Sequence, residues 1–401
     1  MGDTYLVAAL WLGLALLATL LSIWLGIATA LSEIVVGIIA QLIIGALIGA
    51  TALGTSSSWV QFLSGTGAIV LTFLAGAELD PEVFRRKFKE ASAVGVASFL
   101  APFLGCTAVA YYGLHWTSAS SWLAGVALST TSVAVVYAVM LEFGLNKTDY
   151  GKTVLAACFV TDLGTVLALG LLFSPFTWKT LIFFAGALSA FAVLRWITPR
   201  FFRRFGGRPS ELEAKFLLLV LFAFGGFAIW AGSEAVLPAY IIGMVLAGTV
   251  GRDHALIRRL RTLTFGLLTP FYFIRAGSFV SLPALWAAPA AFLILLGAKI
   301  ASKLIGVYPV TRRFAAPKGE AMYTTLLMST GLTFGSISAL YGLTHGVIDQ
   351  AQYSLLILAV IGSAVVPTLI ANAVYLPRHL LHQNAPGPSD GSAETVRTEV
   401  T

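Results

Sequence analysis

Asp162 is the first residue in this chain whose setting points to chemistry. It stands in the apolar run Ala157-Cys158-Phe159-Val160-Thr161-Asp162-Leu163-Gly164, ten residues from Lys152, or about 15 Å along a helix. A carboxylate so deep in an apolar segment costs on the order of 3 kcal/mol or more unless it is paired, protonated or hydrated. Such a group can hold a proton or a hard cation. Two amines lie in another apolar run. Lys299 and Lys303 are four residues apart and share a helix face. Lys303 is nine residues from Arg312, roughly 13 Å, so its depth matches that of Asp162, while Lys299 is deeper. Either lysine could pair with the acid. The alternative for Lys303 is that its long stem carries the charge to the nearer surface. Arg275 and Glu234 are placed to pair near the opposite surface, as a structural ion pair or as charges at a gate.

Hydroxyls cluster at two places: Ser129-Thr130-Thr131-Ser132, followed by the β-branched Val133, Val135 and Val136, and Ser329-Thr330-Gly331-Leu332-Thr333-Phe334-Gly335. A helix broken at mid-membrane exposes carbonyls and half-helix ends that coordinate a cation. In an unbroken helix the same hydroxyls bond their own backbone. The symmetric occurrence of the pair beside an intramembrane acid favours two breaks.

Composition says which elements must hold these groups. Of 401 residues, 58% are hydrophobic and 11% charged, against about 25% charged in soluble domains, and mean hydropathy is +0.89. A cytosolic enzyme, a secreted domain and a disordered chain are excluded. The chain divides into thirteen apolar runs, 6–24, 32–50, 59–78, 91–112, 121–141, 150–173, 178–196, 214–231, 236–248, 262–279, 284–308, 321–343 and 352–376. Most approach the roughly 20 residues needed to cross a bilayer. The predicted fold class is therefore an all-α polytopic membrane protein with thirteen transmembrane helices. The N-terminal run lacks a basic region and a small-residue cleavage site, which reads as a first span rather than a signal peptide. Cys106 and Cys158 lie within apolar runs and suggest neither a disulfide framework nor a metal cluster. No Gly-rich phosphate loop appears, which argues against ATP-driven transport, and no cofactor is implied.

The net charge of +7 is a matter of orientation. Twenty-one of the 25 Lys and Arg fall in loops on one side of the thirteen-span arrangement, Lys179 alone on the other, and Arg275, Lys299 and Lys303 within spans. That bias places the N-terminus outside and the C-terminus in the cytoplasm, and it removes the case for a nucleic-acid partner. Residues 378–401 read as a disordered tail.

Thirteen spans divide into six, a linker and six. Ser32-Glu33-Ile34-Val35 in the second span is matched by Ser233-Glu234-Ala235-Val236 in the ninth, and Ala75-Gly76-Ala77 in the third by Ala276-Gly277-Ser278 in the tenth. The matched segments have opposite orientation, the signature of an inverted repeat with its site near the midplane.

With these residues in hand, the chain over 5–376 resembles the second branch of the monovalent cation:proton antiporters, the Kef-like and NapA-like proteins. The likeness is carried by SEIVVGIIAQLIIG, FLAGAELD, ALSTTSVAVV, FVTDLG and KLIGVYPVTRRFAAPKGEA leading into MSTGLTFG. The resemblance implies an antiporter rather than an enzyme, in the inner membrane of a prokaryote, exchanging Na⁺ or K⁺ for H⁺ as a homodimer. It implies scaffold helices in 1–90 and 213–282, a mobile core in 91–175 and 283–377, and a linker helix with a basic loop in 176–212. It assigns ion binding and proton coupling to Asp162, with Thr161 where some members carry a second acid, and makes Lys303 the basic partner. Ser129, Thr130, Thr131 and Ser132 match the first broken helix, Thr330 and Thr333 the second. Arg275 stands where many relatives have an uncharged residue, and the nucleotide-binding domain of some members is not expected here. The mechanism so implied is elevator-type alternating access with H⁺ and cation competing for Asp162. The rival reading is a sodium-coupled symporter of an organic solute on a related inverted-repeat fold.

Overall fold

In the computed structural model the described residues are 2–25, 27–49, 51–77, 81–145, 148–173, 177–207, 210–233, 235–314 and 316–381. Glu78, Asp80 and Glu234, together with the tail beyond 381, lie outside them. Every regular element among the described residues is a helix, as lipid demands of a backbone that must satisfy its own hydrogen bonds. The first half comprises α1 (Gly2–Leu25), α2 (Thr29–Leu47), α3 (Ser58–Ala77), α4 (Pro81–Arg86), α5 (Phe88–Ala108), α6 (Ser118–Ser129), α7 (Val133–Glu142) and α8 (Asp149–Phe173). After the connecting α9 (Trp178–Phe205) come α10 (Leu212–Trp230), α11 (Val236–Leu246), α12 (His254–Leu263), α13 (Thr269–Ser278) and α14 (Leu282–Ala287). The chain continues through α15 (Pro289–Arg313), α16 (Lys318–Met328), α17 (Thr333–Thr344), α18 (Gln350–Ile370) and α19 (Arg378–Leu381).

Ten helical segments among the described residues are long and apolar enough to cross a membrane. The other three predicted spans take different forms. Run 121–141 is two half-helices, α6 and α7; run 236–248 is the 11-residue α11; run 262–279 is α13, entered through a π turn at Thr264–Leu268. Two boundaries shift for legible reasons. The seventh span does not stop at 196 but continues to Phe205, ending at Gly206 and Gly207, the latter at φ +72°, a conformation that glycine adopts without strain. The eleventh begins at Pro289 rather than 284 and runs to Arg313, proline being well suited to a first helical turn.

Glycines let the helices that frame the site touch backbone to backbone. A Cβ on Gly76 or Gly243 would collide with the carbonyl of Tyr240 or Phe73, locking α3 onto α11. Gly277 and Gly37 meet Ile34 and Ile274 in the same way, locking α2 onto α13. A second set of helices packs around α5, which contacts α6, α8 and α15, with α15 in turn on α16 and α18 and α17 against α6.

Candidate functional site

Two interrupted helices meet at the centre. The helix of α6 ends at Ser129, and Thr130 turns extended at φ −62°, ψ 153° before α7 starts at Val133. The helix of α16 ends at Met328, and Leu332, at φ −147°, ψ −69°, precedes α17. The interruptions fall on the two hydroxyl clusters, and they are joined directly: Ser132 N donates to the Thr330 carbonyl at 3.0 Å, and Thr131 Oγ1 to the Met328 carbonyl at 2.8 Å.

Asp162 lies in the middle of α8, 1% exposed, and its Oδ1 has no hydrogen-bond partner. The carboxyl borders a cavity of about 360 Å³ lined also by Leu71, Leu74, Tyr137, Arg261, Thr333 and Phe334. A second cavity of about 390 Å³, lined by His254, Arg258 and Gly251, shares Tyr137 and Arg261 with it. The acid is thus approached from the face that carries the basic loops. The lining combines the Asp162 carboxylate, a threonine hydroxyl, a tyrosine and the Arg261 guanidinium with apolar walls. That set is suited to a proton or a hard monovalent cation, and no cluster of three His, Cys, Asp or Glu fit for a transition metal occurs among the described residues.

Lys303 is fully buried, and all three of its donors are directed: to Ser98 Oγ at 2.7 Å, the Ser129 carbonyl at 2.9 Å and Thr131 Oγ1 at 3.0 Å. The carbonyl is the last of α6, one of the acceptors a helix end leaves open. Lys303 therefore pins the first break to α5. The direct pairing with Asp162 is not formed in this conformation, where the Lys303 amine is taken up by Ser98, Ser129 and Thr131. Lys299 is also fully buried, and its Nζ has no hydrogen-bond partner.

The hydroxyls divide in two. Ser129 Oγ, Thr130 Oγ1 and Thr330 Oγ1 donate to Val126, Ala127 and Leu327 carbonyls at 2.8, 3.3 and 2.8 Å; they finish the ends of their own half-helices. Ser132 Oγ accepts from Val135 N at 3.4 Å at the start of α7. Thr161 Oγ1 points away from the cavity to the Gly95 carbonyl at 3.2 Å and Ala157 carbonyl at 3.1 Å, tying α8 to α5. Of the residues given an ion-binding, charge or hydroxyl role from the sequence, Asp162 and Thr333 line the 360 Å³ cavity.

Arg275 lies on the other side. Its Nε donates to the Thr55 carbonyl at 2.9 Å, and its guanidinium lies 5.1 Å from the Phe279 ring centre. It borders a separate cavity of about 450 Å³ with Gln61, Ser64, Tyr272, Thr344 and His345. The pairing expected with Glu234 falls outside the described residues.

Three contributors were not singled out from the sequence. Tyr137 and Arg261 line the Asp162 cavity, and Ser98 holds Lys303. Arg261 reads in sequence only as one of many loop arginines, and Ser98 as one hydroxyl in an apolar helix; nothing in their spacing marks them.

Comparison with known proteins agrees with this architecture. A family profile described as sodium/hydrogen exchanger, transmembrane, matches residues 8–374. The Na⁺/H⁺ antiporter NhaS4 of Synechocystis is 26% identical over 385 residues, covering 85% of this chain and 92% of that protein. Cation/H⁺ antiporter 18 of Arabidopsis thaliana is 25% identical over 372 residues, covering 85% of this chain but 46% of that protein, so the chain spans about half the length of that relative. The solved structure of the sodium proton antiporter MjNhaP1 of Methanocaldococcus jannaschii superposes with a TM-score of 0.70 at 16% identity, over 96% of this chain and 100% of the other; the two share a fold.

Proposed function

The chain belongs to the transmembrane sodium/hydrogen exchanger family, a family of transporters, and on that premise we propose that it exchanges a monovalent cation, Na⁺ or K⁺, for protons, which compete for Asp162. The observation that carries this reading is the Asp162 carboxyl itself, 1% exposed, with an oxygen left without a partner and bordering a cavity that leads to one face. Burial favours the neutral acid, and a nearby cation favours the carboxylate. A single site in that balance binds one or the other and not both. The relatives named as Na⁺/H⁺ and cation/H⁺ antiporters support the choice of substrates.

The packing supports a reading of how access alternates. We take the helices around α5, α8 and α15 to be the moving core, and α1–α3 with α10–α13 to be the scaffold, whose helices are locked by glycine contacts in pairs. The Asp162 cavity lies between the two groups, with Leu71 and Leu74 on one wall and Thr333 and Phe334 on the other. A slide of the core along that wall would carry Asp162 from one face to the other. The conformation described is then open to the basic face, the cytoplasmic one by the distribution of Lys and Arg. A homodimer formed through the scaffold would hold it still while the core moves.

The test is cation-driven proton flux in proteoliposomes containing the purified protein. Wild type should acidify or alkalinise the lumen on addition of Na⁺ or K⁺, and Asp162→Asn should lose at least a hundredfold of that rate. Flux by Asp162→Asn at the wild-type rate would overturn the assignment.

A further inference from the structure

Two fully buried tyrosines bridge the two groups of helices, in opposite senses. Tyr240, on α11 of the scaffold group, donates its hydroxyl to the Phe159 carbonyl of α8 in the core group at 2.9 Å. Tyr353, on α18 of the core group, donates to the Ala276 carbonyl of α13 in the scaffold group at 2.6 Å. Neither hydroxyl has a part in the cation site described above.

The first bond is formed beside the acid. Phe159 precedes Asp162 by three residues, so the two lie on neighbouring parts of one helix face, about 4.5 Å apart along the axis. Tyr240 is firmly seated. Its own carbonyl fills the notch of Gly76 on α3, and its ring stands edge-on to Phe334 of α17, with centroids 5.6 Å apart at 90°. The second bond closes a helix end. The helical partner of the Ala276 carbonyl would be Val280 N, which bonds the Gly277 carbonyl instead. Ala276 thus presents one of the acceptors that a helix C-terminus leaves open, and Tyr353 fills it. Next to it, Ser354 Oγ accepts from Ser281 N at 2.8 Å.

These bonds differ in kind from the apolar part of the boundary, where Leu71 and Leu74 face Phe334 across the Asp162 cavity. Apolar side chains that slide past one another exchange one dispersion contact for the next. A hydroxyl bonded to a carbonyl has its acceptor at one place, and breaking a buried bond leaves both groups unsatisfied. A displacement of α8 or α18 by one turn, about 5.4 Å, carries each donor and acceptor apart.

We propose that Tyr240 and Tyr353 are the latches of the conformation open to the basic face, two hydroxyls that hold the core against the scaffold and that each stroke must release. The inference rests on the antiport reading with its moving core, and adds the contacts that set the balance between its two conformations. One bond lies beside the acid. The other lies next to Arg275, which borders the cavity of the opposite face. The core is therefore held at two levels, and neither a slide nor a tilt keeps both bonds. The tyrosines are positioning residues: they act on the share of time for which Asp162 is presented to the basic face.

The experiment reads that share directly. Val133 lines the Asp162 cavity on the core side, and Val133→Cys is the reporter in every arm, with the buried Cys106 and Cys158 as the silent background. Its rate of reaction with an impermeant thiol reagent is measured from each face of proteoliposomes. With both tyrosines present the basic face should react faster. Tyr240→Phe and Tyr353→Phe each keep the ring and lose the hydroxyl. Each should lower the ratio of basic-face to opposite-face rates about fivefold, the net value of one hydrogen bond. The two share no partner, so the double variant should lower it about twenty-five-fold. An unchanged ratio in either single variant overturns the proposal, and so does a fall in melting temperature with the ratio unmoved, the mark of a bond that is merely structural. Where a Phe variant is not recovered, Met at the same position, flexible and without a hydroxyl, replaces it under the same criterion. Cation-driven proton flux is measured on the wild-type chain alongside. No flux, with a ratio that responds to the tyrosines, would sink the antiport reading and leave the latches standing; flux with an indifferent ratio sinks only this inference.

Discussion

The two large cavities on either side of the crossing are alike in size and opposite in content. That on the basic face reaches Asp162 and is lined by Leu71 of α3 and Phe334 of α17. That on the opposite face contains Arg275 and His345 and stops at Ile69 of α3 and Ile337 of α17. The linings are two residues apart along α3 and three along α17, about 3 and 4.5 Å. A single turn of apolar side chains is therefore what denies the acid to the opposite face. In the proposed cycle, moving the core by a turn or two would transfer Asp162 from one cavity to the other. The cavity on the basic face holds a carboxylate beside the Arg261 guanidinium, whereas the other holds Arg275, tied on α13 to Thr55 and Phe279.

Three changes should break or sharpen that contrast. The largest effect is expected from placing a polar group in the barrier. Phe334→Ser should connect the cavities and raise the proton leak of protein-containing liposomes about tenfold in the absence of a counter-cation, read with a luminal pH dye; a leak equal to wild type would mean that the seal lies elsewhere. Next is accessibility. The native Cys106 and Cys158 are both buried and should stay silent, so Thr333→Cys should react with an impermeant thiol reagent from the basic face and Leu340→Cys from the other, each with roughly tenfold preference. Equal labelling from both faces would contradict a single-sided opening. Smaller again is the effect of the fixed charge. Arg275→Gln should lower the apparent KM for cation supplied at the opposite face about threefold to fivefold, as expected when a partly solvated repulsion on the order of 1 kcal/mol is removed, and leave KM at the basic face unchanged. High salt should shrink the difference.

How far these features could be read from the sequence differs between groups for physical reasons. Helical architecture and the two breaks were legible because lipid imposes a length and a polarity rule on each segment, and because hydroxyl clusters such as Ser129–Ser132 stand out in apolar surroundings. Asp162 was legible as a buried acid for the same reason, as was the burial of Lys303. The neighbours of these groups were not. Whether Lys303 turns to Asp162 or to Ser98 depends on which face of α5 packs on α15, and that is settled by small residues such as Gly306 against Ala101 rather than by any polar pattern. Depth and the resemblance distinguish Lys303 from Lys299 in sequence, but they do not tell that Lys303 is held by Ser98, Ser129 and Thr131 while Lys299 faces the notch at Gly331. Arg261 contributes to the orientation bias and to the cavity at once, and the first role hides the second.

Thr161 shows the smallest effect and the clearest separation of the two kinds of hydroxyl. Its place beside Asp162 in sequence implies a ligand, but successive helix residues point about 100° apart, and the side chain is directed to the Gly95 and Ala157 carbonyls. Thr333, distant in sequence, is on the cavity wall with the acid. Thr161→Val, close in shape, should cost only the net value of a hydrogen bond, about 1 kcal/mol, seen as a drop of a few degrees in melting temperature, with KM for Na⁺ or K⁺ unmoved. Thr333→Val should leave stability nearly intact and raise KM several-fold. If the two results came out reversed, the cation would be bound on the α5 side of α8, and the cavity open to the basic face would be a vestibule rather than the site.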